Sequence, residues 1–378
     1  MYLLIILSIL SILFIIPFII KSWIKIINLK SSINDKNTLK AQNNKYENNE
    51  KYNKIDYSYK NNTTKIKCNN LIKIFSLNFF LRCGFVNDDY LYNDYKFERL
   101  NHFILNNMKD YDIIILQEIF GTLSIYCKIL INEAKKLGFN YYITPDCPPF
   151  FSKFFIDNGL MILSKYPIIE NETIIYKDNI YIDKFASKGF QYCKIDISCL
   201  SLDNSKKYLN IINTHLQSDY KIKDTYAEKI KLSQLKQLSN YVKNKKEFEF
   251  EPLIITGDFN CNSINIDNSI NIDNHIHNYK NINHNKSINN NIHSNLYKKL
   301  IRTLNLKYKN DLLYKFNNSH IPTSFSIYDI KGNEITTIIK CDNNINDGII
   351  LPRSVDYIFY NNIKWLIPYF CKIEIIKK

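Results

Sequence analysis

The stretch Pro252-Leu253-Ile254-Ile255-Thr256-Gly257-Asp258-Phe259-Asn260 limits the folds open to this chain more than any other. Leu253 to Thr256 has the length and branching of a strand covered on both faces. Gly257 lets the backbone turn or come close to a ligand. Side chains two apart on an extended chain point the same way, so Asp258 and Asn260 share a direction. A carboxylate and an amide carbonyl aimed together suit a hard cation or a phosphate. The alternative is a strand closing in an Asx turn.

The same unit recurs. Leu71 to Asn78 alternates like a strand and ends on an asparagine, a residue disfavoured inside strands. Asp112 to Glu118 is an apolar run closing on Gln117 and Glu118, and Tyr208 to His215 closes on a histidine. Ser354 to Tyr360 carries Asp356. Asn140 to Thr144, Asn158 to Ile168, Phe190 to Ser198 and Cys371 to Ile376 read as further strands, and His320 to Ser326 as a loop entering one. Helical spacing covers Tyr95 to Asp110, Gly121 to Leu137 with Gly138 as its stop, Thr225 to Lys246 and Leu296 to Leu304. In the third of these, Ile230, Leu235, Leu238, Tyr241 and Val242 form the predicted buried face. Strands alternating with helices, with some hairpin-like neighbours, predict a mixed α/β sandwich. Asn78, Glu118, His215, Asp258 with Asn260, and Asp356 then converge at one sheet edge. A lone strand-end histidine is more often structural, and His215 gains weight only from this company. Hard oxygen ligands without a thiolate select Mg²⁺ or a relative such as Mn²⁺ rather than zinc.

Met1 to Ile20 is apolar without a charged side chain, and Lys21, Lys25 and Lys30 follow. Twenty helical residues span about 30 Å, the depth of a bilayer's hydrocarbon core. The segment is expected to be a single-pass membrane anchor of the secretory pathway. If it is a cleaved signal peptide, the protein is secreted. Residues 21–70 read as a polar linker and 71–378 as one domain. Within that domain, Asn262 to Asn295 is an Asn-rich insert. Its His275, His277, His284 and His293 have no fixed spacing, which favours a surface loop over a metal site. Cys147 to Phe155 holds two prolines and four phenylalanines. It reads as satellite core in preference to an exposed, membrane-touching rim. Formal net charge is +14. That fits a polyanion or an anionic membrane surface, although the Lys and Asn content also carries an AT-rich compositional bias. The nine cysteines are scattered with no C-x-x-C pair, so neither a zinc site nor a disulfide framework is implied.

Six blocks in order carry a resemblance: SLN ending at Asn78, LQE ending at Glu118, GLMILSKYPI at 159–168, NTHLQ around His215, TGDFN at 256–260 and RSVDYIFY at 353–360. Together they resemble the endonuclease/exonuclease/phosphatase (deoxyribonuclease I-like) superfamily over residues 71–378. The block Asp183-Lys184-Phe185-Ala186-Ser187-Lys188-Gly189 is similar to a phosphate-loop-like motif of its neutral sphingomyelinase branch. The resemblance implies a four-layer sandwich of two mixed, mostly antiparallel sheets packed face to face with helices outside. It implies a monomeric, Mg²⁺-dependent phosphodiesterase that takes sphingomyelin or a related choline phospholipid at a membrane to ceramide and phosphocholine, with no nucleic-acid partner. By position, Asn78 and Glu118 are the implied metal ligands. Asn158, Asp183 and Lys188 are the implied substrate-binding residues. Asp258 and Asn260 would position water and phosphate, His215 would bond phosphate oxygens, and Asp356 would support a general base.

That base is implied by a Ser-Asp-His block after the Asp356 strand, and the sequence reaches Lys378 without one. A truncated gene model is the favoured expectation over an inactive chain. A nuclease of the same superfamily and a catalytically inactive phospholipid-binding membrane protein are the alternative readings.

Overall fold

The computed structural model describes residues 71–82, 96–149, 151–201, 205–221, 224–266, 288–307, 310–328, 334–338, 349–361 and 368. The chain divides into two units, residues 1–68 with 84–86 and residues 69–83 with 87–378. The first unit lies outside the described residues, and every strand and helix named here belongs to the second.

In chain order the strands are β1 (Ile74–Leu81), β2 (Ile113–Ile119), β3 (Tyr141–Ile143), β4 (Met161–Ser164), β5 (Ile168–Ile175), β6 (Gly189–Asp196), β7 (Tyr208–His215), β8 (Leu253–Asp258), β9 (Ile264–Ile266), β10 (Ile288–His293), β11 (Ser324–Tyr328), β12 (Glu334–Ile338), β13 (Ile349–Arg353) and β14 (Asp356–Tyr360). The helices are α1 (Lys96–Asn106), α2 (Tyr126–Lys136), α3 (Thr225–Asn244), α4 (Asn295–Thr303) and α5 (Leu312–Asn317). One sheet has the order β1-β2-β4-β3 and another β14-β8-β7-β6-β5. Each has one parallel pair, β1 with β2 and β7 with β8, and is otherwise antiparallel. Small sheets β10-β9 and β12-β11-β13 lie between β8 and β14 in sequence.

Strand parity builds the layers. On β2, Ile113 and Ile115 share a core with Leu209 and Ile211 of β7 and Ile254 of β8, which is the interior between the sheets. The alternate residues Ile114 and Leu116 pack with Leu100 and Phe103 of α1 and Leu130 of α2. On the other side, Leu253 and Ile255 pack with Leu235 and Leu238 of α3 and Leu300 of α4. Helix, sheet, sheet, helix is the resulting order, as expected for an α/β sandwich of two mixed sheets. The near-continuous apolar runs of β2 and β8 follow from being covered on both faces.

Several sequence expectations shift. Ile168 to Ile175 is a strand of its own, hidden because Glu170 and Glu172 expose one face at the sheet edge. Helix α2 begins at Tyr126, five residues after the predicted start. On α3, Leu235 and Leu238 are buried as predicted, but Ile230 is only half-buried and the neighbouring Lys231 is fully buried. The Cys147–Phe155 segment is corrected from satellite core to exposed rim, since Phe151 is 96% and Phe155 69% exposed. The membrane localisation is corrected as well. Among the described residues no helix is long and apolar enough to cross a membrane. Residues 1–20, on which the anchor and the N-terminal hydrophobic helix rested, lie outside those residues. So do the strand expected at 371–376 and His275, His277 and His284.

Candidate active site

The faces that line the space between the sheets change character along their length. From the apolar end they run through Ser76, Gln117, Asn213 and Thr256 to Asn78, His215 and Asp258, each two residues beyond the last on its strand. The middle tier ties the sheets together. Gln117 Nε2 donates to Asn213 Oδ1 at 2.8 Å, and Asn213 Nδ2 donates to the carbonyls of Leu116 and Met161. Thr256 Oγ1 lies 2.9 Å from Ser76 Oγ. The next tier is the candidate site.

Register sets it. His215 pairs with Asp258 across β7 and β8, and Asp356 with Asp258 across β14 and β8. Asn78 bridges the two sheets, its Nδ2 lying 2.9 Å from Glu118 Oε1 and 3.0 Å from Asp258 Oδ2. By parity alone Glu118 belongs with Ile114 and Leu116 on the helix-facing side. A left-handed φ of 55° at Glu118, beside a register shift between β1 and β2, breaks that alternation where the carboxylate meets Asn78. Strain of this kind at a non-glycine residue is held by its surroundings and gathers at functional sites. Gly159, at φ +64, packs beneath, and a Cβ there would lie 3.1 Å from the Glu118 Cα.

Electrostatics separate the carboxylates. Burial raises the Glu118 pKa, but Arg82, His215 and Asn78 outweigh it and hold the carboxyl down at about 2. Arg82 Nε donates to Glu118 Oε2 at 2.9 Å. Asp356 is pushed the other way, up to about 8, first by burial and then by Asp258. Its Oδ1 is buried without a hydrogen-bond partner among the described residues. His215 is held below its ordinary pKa by burial and then by Lys188. Its Nε2 lies 3.3 Å from Lys188 Nζ and 3.8 Å from Asp258 Oδ2.

The structure brings the Asp183–Lys188 segment against His215. Lys188 Nζ is 3.0 Å from Asp183 Oδ2 and donates to Leu216 O and Ser218 Oγ. Asp183 also accepts from Gln217 Nε2, the Ser218 amide and the Tyr220 hydroxyl. Asn260, at φ 50°, donates from Nδ2 to Leu216 O and accepts on Oδ1 from Arg353. An amide offers two N–H bonds and two lone pairs, so this anchoring leaves one of each for a ligand. Asn158 is buried and accepts from the Leu160 amide. No hydrogen bond among the described residues ties it to the Glu118–Asn78–Asp258 cluster.

Some supporting residues escaped the sequence reading. Lys231 ion-pairs with Asp219 and donates to the Asn260 carbonyl at 2.6 Å, while Arg353 reaches Asp219 at 3.6 Å. Asp157, fully buried, accepts from Gly121, Thr122 and Gly159 and fixes the turn beside Glu118. The available signal was a lysine within the apolar stripe of α3 and an arginine three residues before Asp356. Both are common surface types, so neither stood out. His320 Nε2 bonds His293 Nδ1 at 2.7 Å, and its ring packs on Tyr297 and Tyr314.

No group of three His, Cys, Asp or Glu side chains that could hold a metal occurs among the described residues. The groups at Glu118 that could ligate a cation are nonetheless carboxylate and amide, with the Arg82 guanidinium on Oε2. Asn78 turns its nitrogen to the carboxylates and its Oδ1 to the Phe80 amide, so the side chain must rotate to offer oxygen to a cation.

No family model matches the chain. It is 33% identical to a sphingomyelinase of Dictyostelium discoideum over 174 residues, 41% of this chain and 38% of that protein. It is 28% identical to sphingomyelinase C of Bacillus cereus over 181 residues, 43% of this chain and 49% of that protein. The matches thus span less than half the length of these curated relatives. A β-hairpin deletion mutant of Staphylococcus aureus beta toxin superposes with a TM-score of 0.53 at 23% identity, over 82% of this chain and 95% of that one. Another beta toxin variant, described with bound magnesium ions, gives 0.50 at 24% identity over 77% of this chain and 83% of that one. The chain has the fold of these toxins and is similar in sequence to sphingomyelinases.

Proposed function

We propose that this chain hydrolyses the phosphodiester of sphingomyelin at a membrane surface, releasing ceramide and phosphocholine, with Mg²⁺ as cofactor. The observation that carries this reading is the convergence of Asn78, Glu118, His215 and Asp258 into one buried, bonded cluster with the Lys188–Asp183 pair beside it. The sequence similarity to sphingomyelinases supports the substrate.

Hydrolysis of a phosphodiester gathers negative charge on the phosphoryl oxygens and the leaving alkoxide. Glu118 and Asn78 would hold the cation, which supplies charge stabilisation of about several kcal/mol. The residues of the chain do the rest. Lys188 brings a buried positive charge against His215, and a neutral His215 can bond a phosphate oxygen. Asp258 is fixed by Asn78 and by the Asn260 amide at 2.8 Å, which orients its carboxylate for a water. Asn260 has one N–H and one lone pair left for water and phosphate. Asp183 neutralises Lys188 and ties it to the 217–220 loop. Asn158 would contribute to phosphate binding from the turn that Asp157 fixes.

Release of phosphocholine from sphingomyelin vesicles in Mg²⁺ tests the reading. Glu118→Ala and EDTA should each lower the rate by at least about 10²-fold. Cleavage of plain or abasic DNA with no lipid turnover would refute it. One observation favours a second reading, phospholipid binding without turnover. Asp356 Oδ1 has no imidazole or other partner among the described residues. Under that reading the chain binds phospholipid vesicles and releases no phosphocholine with or without Mg²⁺. Under the first, release rises with Mg²⁺.

A further inference from the structure

The exposed aromatics are not scattered. Phe151, Phe155, Ile182, Tyr181 and Phe185 are 96%, 69%, 61%, 39% and 38% exposed, and they come from two segments that are bonded together. The Phe155 and Ile156 amides both donate to Phe185 O, at 2.8 and 3.1 Å, and the Ser187 amide returns a bond to Ile156 O. The Phe155 and Phe185 rings stand 5.6 Å apart. The 3₁₀ turn Tyr181–Phe185 sorts its side chains sharply. Asp183 points in, bonded to Lys188, Gln217, Ser218 and Tyr220, while Ile182, Lys184 and Phe185 point out and Tyr181 packs on the Tyr220 ring and donates to Asp224. Lys184 lies over the Phe185 ring and Lys153 over the Phe154 ring, each at 4.9 Å. The rim is therefore apolar at its tip and cationic on its shoulders, on a chain of net charge +14.

We infer that this rim is a docking surface that inserts into the interfacial zone of a phospholipid bilayer. The inference rests on the proposed function for the identity of the lipid consumed, though not for the docking itself. Contiguous apolar exposure of this kind marks an interaction site. Aromatic tips flanked by lysines match a bilayer interface, where rings meet acyl chains and ammonium groups meet phosphates. Side chains that protrude this far suit a soft medium better than a preformed protein pocket. The same five-residue turn carries Ile182 and Phe185 outward and Asp183 inward. Insertion would therefore fix the Lys188 side of the site relative to the lipid surface.

The test places a reporter in the rim so that other lipid contacts of the chain do not contribute. The full chain carrying Phe155→Trp is mixed, in EDTA, with phosphatidylcholine vesicles with and without phosphatidylserine and free of sphingomyelin. The added emission should shift to the blue and be quenched by acyl-brominated lipid, more strongly with phosphatidylserine. Combining Phe155→Trp with Ile182→Ser and Phe185→Ser should weaken that response at least about tenfold. Emission at 155 that stays water-like on saturating vesicles overturns the inference. So does a blue shift that follows protein concentration without lipid, which would mark a self-association or protein interface. A water-soluble aryl phosphocholine ester keeps the two readings apart. Equal turnover by wild type and Phe155→Ser/Phe185→Ser, with slower release from vesicles in the variant, supports docking at a working site. No turnover by either refutes the proposed function while the fluorescence still decides docking.

Discussion

Asp356→Asn should make this protein more stable, and the gain in stability should grow with pH. Asp356 faces Asp258 across a strand pair, and its Oδ1 is buried without a partner among the described residues. Burial and the neighbouring carboxylate push its pKa from 3.8 to about 8. The native state therefore holds a proton between those values that the unfolded chain gives up, so wild-type stability falls as pH rises through this window. At about 1.36 kcal/mol per unit, holding the proton at pH 7 costs roughly 4 kcal/mol. Asp356 is partly exposed, and water screening brings this to about 1–3 kcal/mol. Asparagine has the same shape and no proton to lose. Urea unfolding followed by circular dichroism, in EDTA from about pH 4 to 8.5, reads the difference directly. The two proteins should coincide near pH 4 and separate by about 1–3 kcal/mol by pH 8, with the variant the more stable. Parallel curves, or a variant less stable at pH 8, would refute the assignment of strain to this carboxylate pair. Asp258→Asn supplies the internal control, since removing the facing charge should lower the Asp356 pKa and flatten the wild-type slope.

Lys188→Met should raise the His215 pKa toward its ordinary value, because the lysine charge helps hold it down, and histidine C2-proton NMR titration would show it. The same change leaves buried Asp183 without its cation and should cost about 3 kcal/mol in chemical unfolding. Gly257→Ala should abolish soluble expression or cost more than about 4 kcal/mol, since its Cβ would sit 1.9 Å from Thr214 O at a φ of +137°. Asn213→Leu should cost about 3 kcal/mol in thermal unfolding and lower phosphocholine release with it, because Asn213 joins the sheets one tier below the site.

Period-two alternation is a strong signal, and it made the sandwich and the convergence of three candidate residues legible in the sequence. Asn78, His215 and Asp258 continue the inward-facing series of their own strands, so placing the strands places those three. Glu118 obeys a different rule. Its parity points at the helices, and the positive φ that sets it apart leaves no mark in a sequence whose strand reads Ile-Ile-Ile-Leu-Gln-Glu-Ile. Lys231 and Arg353 were illegible for a related reason. A lysine on an amphipathic helix reads as solvated unless its partner is known, and Asp219 and the Asn260 carbonyl reach it only through tertiary packing. The aromatic segment failed on a base rate. Phenylalanines are mostly interior, and nothing local distinguishes the few that are not. Its pairing with Phe185 comes from a turn about thirty residues away that must bury Asp183 to hold Lys188. That requirement leaves Ile182, Lys184 and Phe185 of the turn outside, and the loop hydrogen-bonded to it shares the exposure. The exposed rim and the buried ion pair are thus two faces of one short turn. A change that frees Asp183 from its four donors should disorder the rim as well, whereas removing the rim's rings should leave Asp183 where it is.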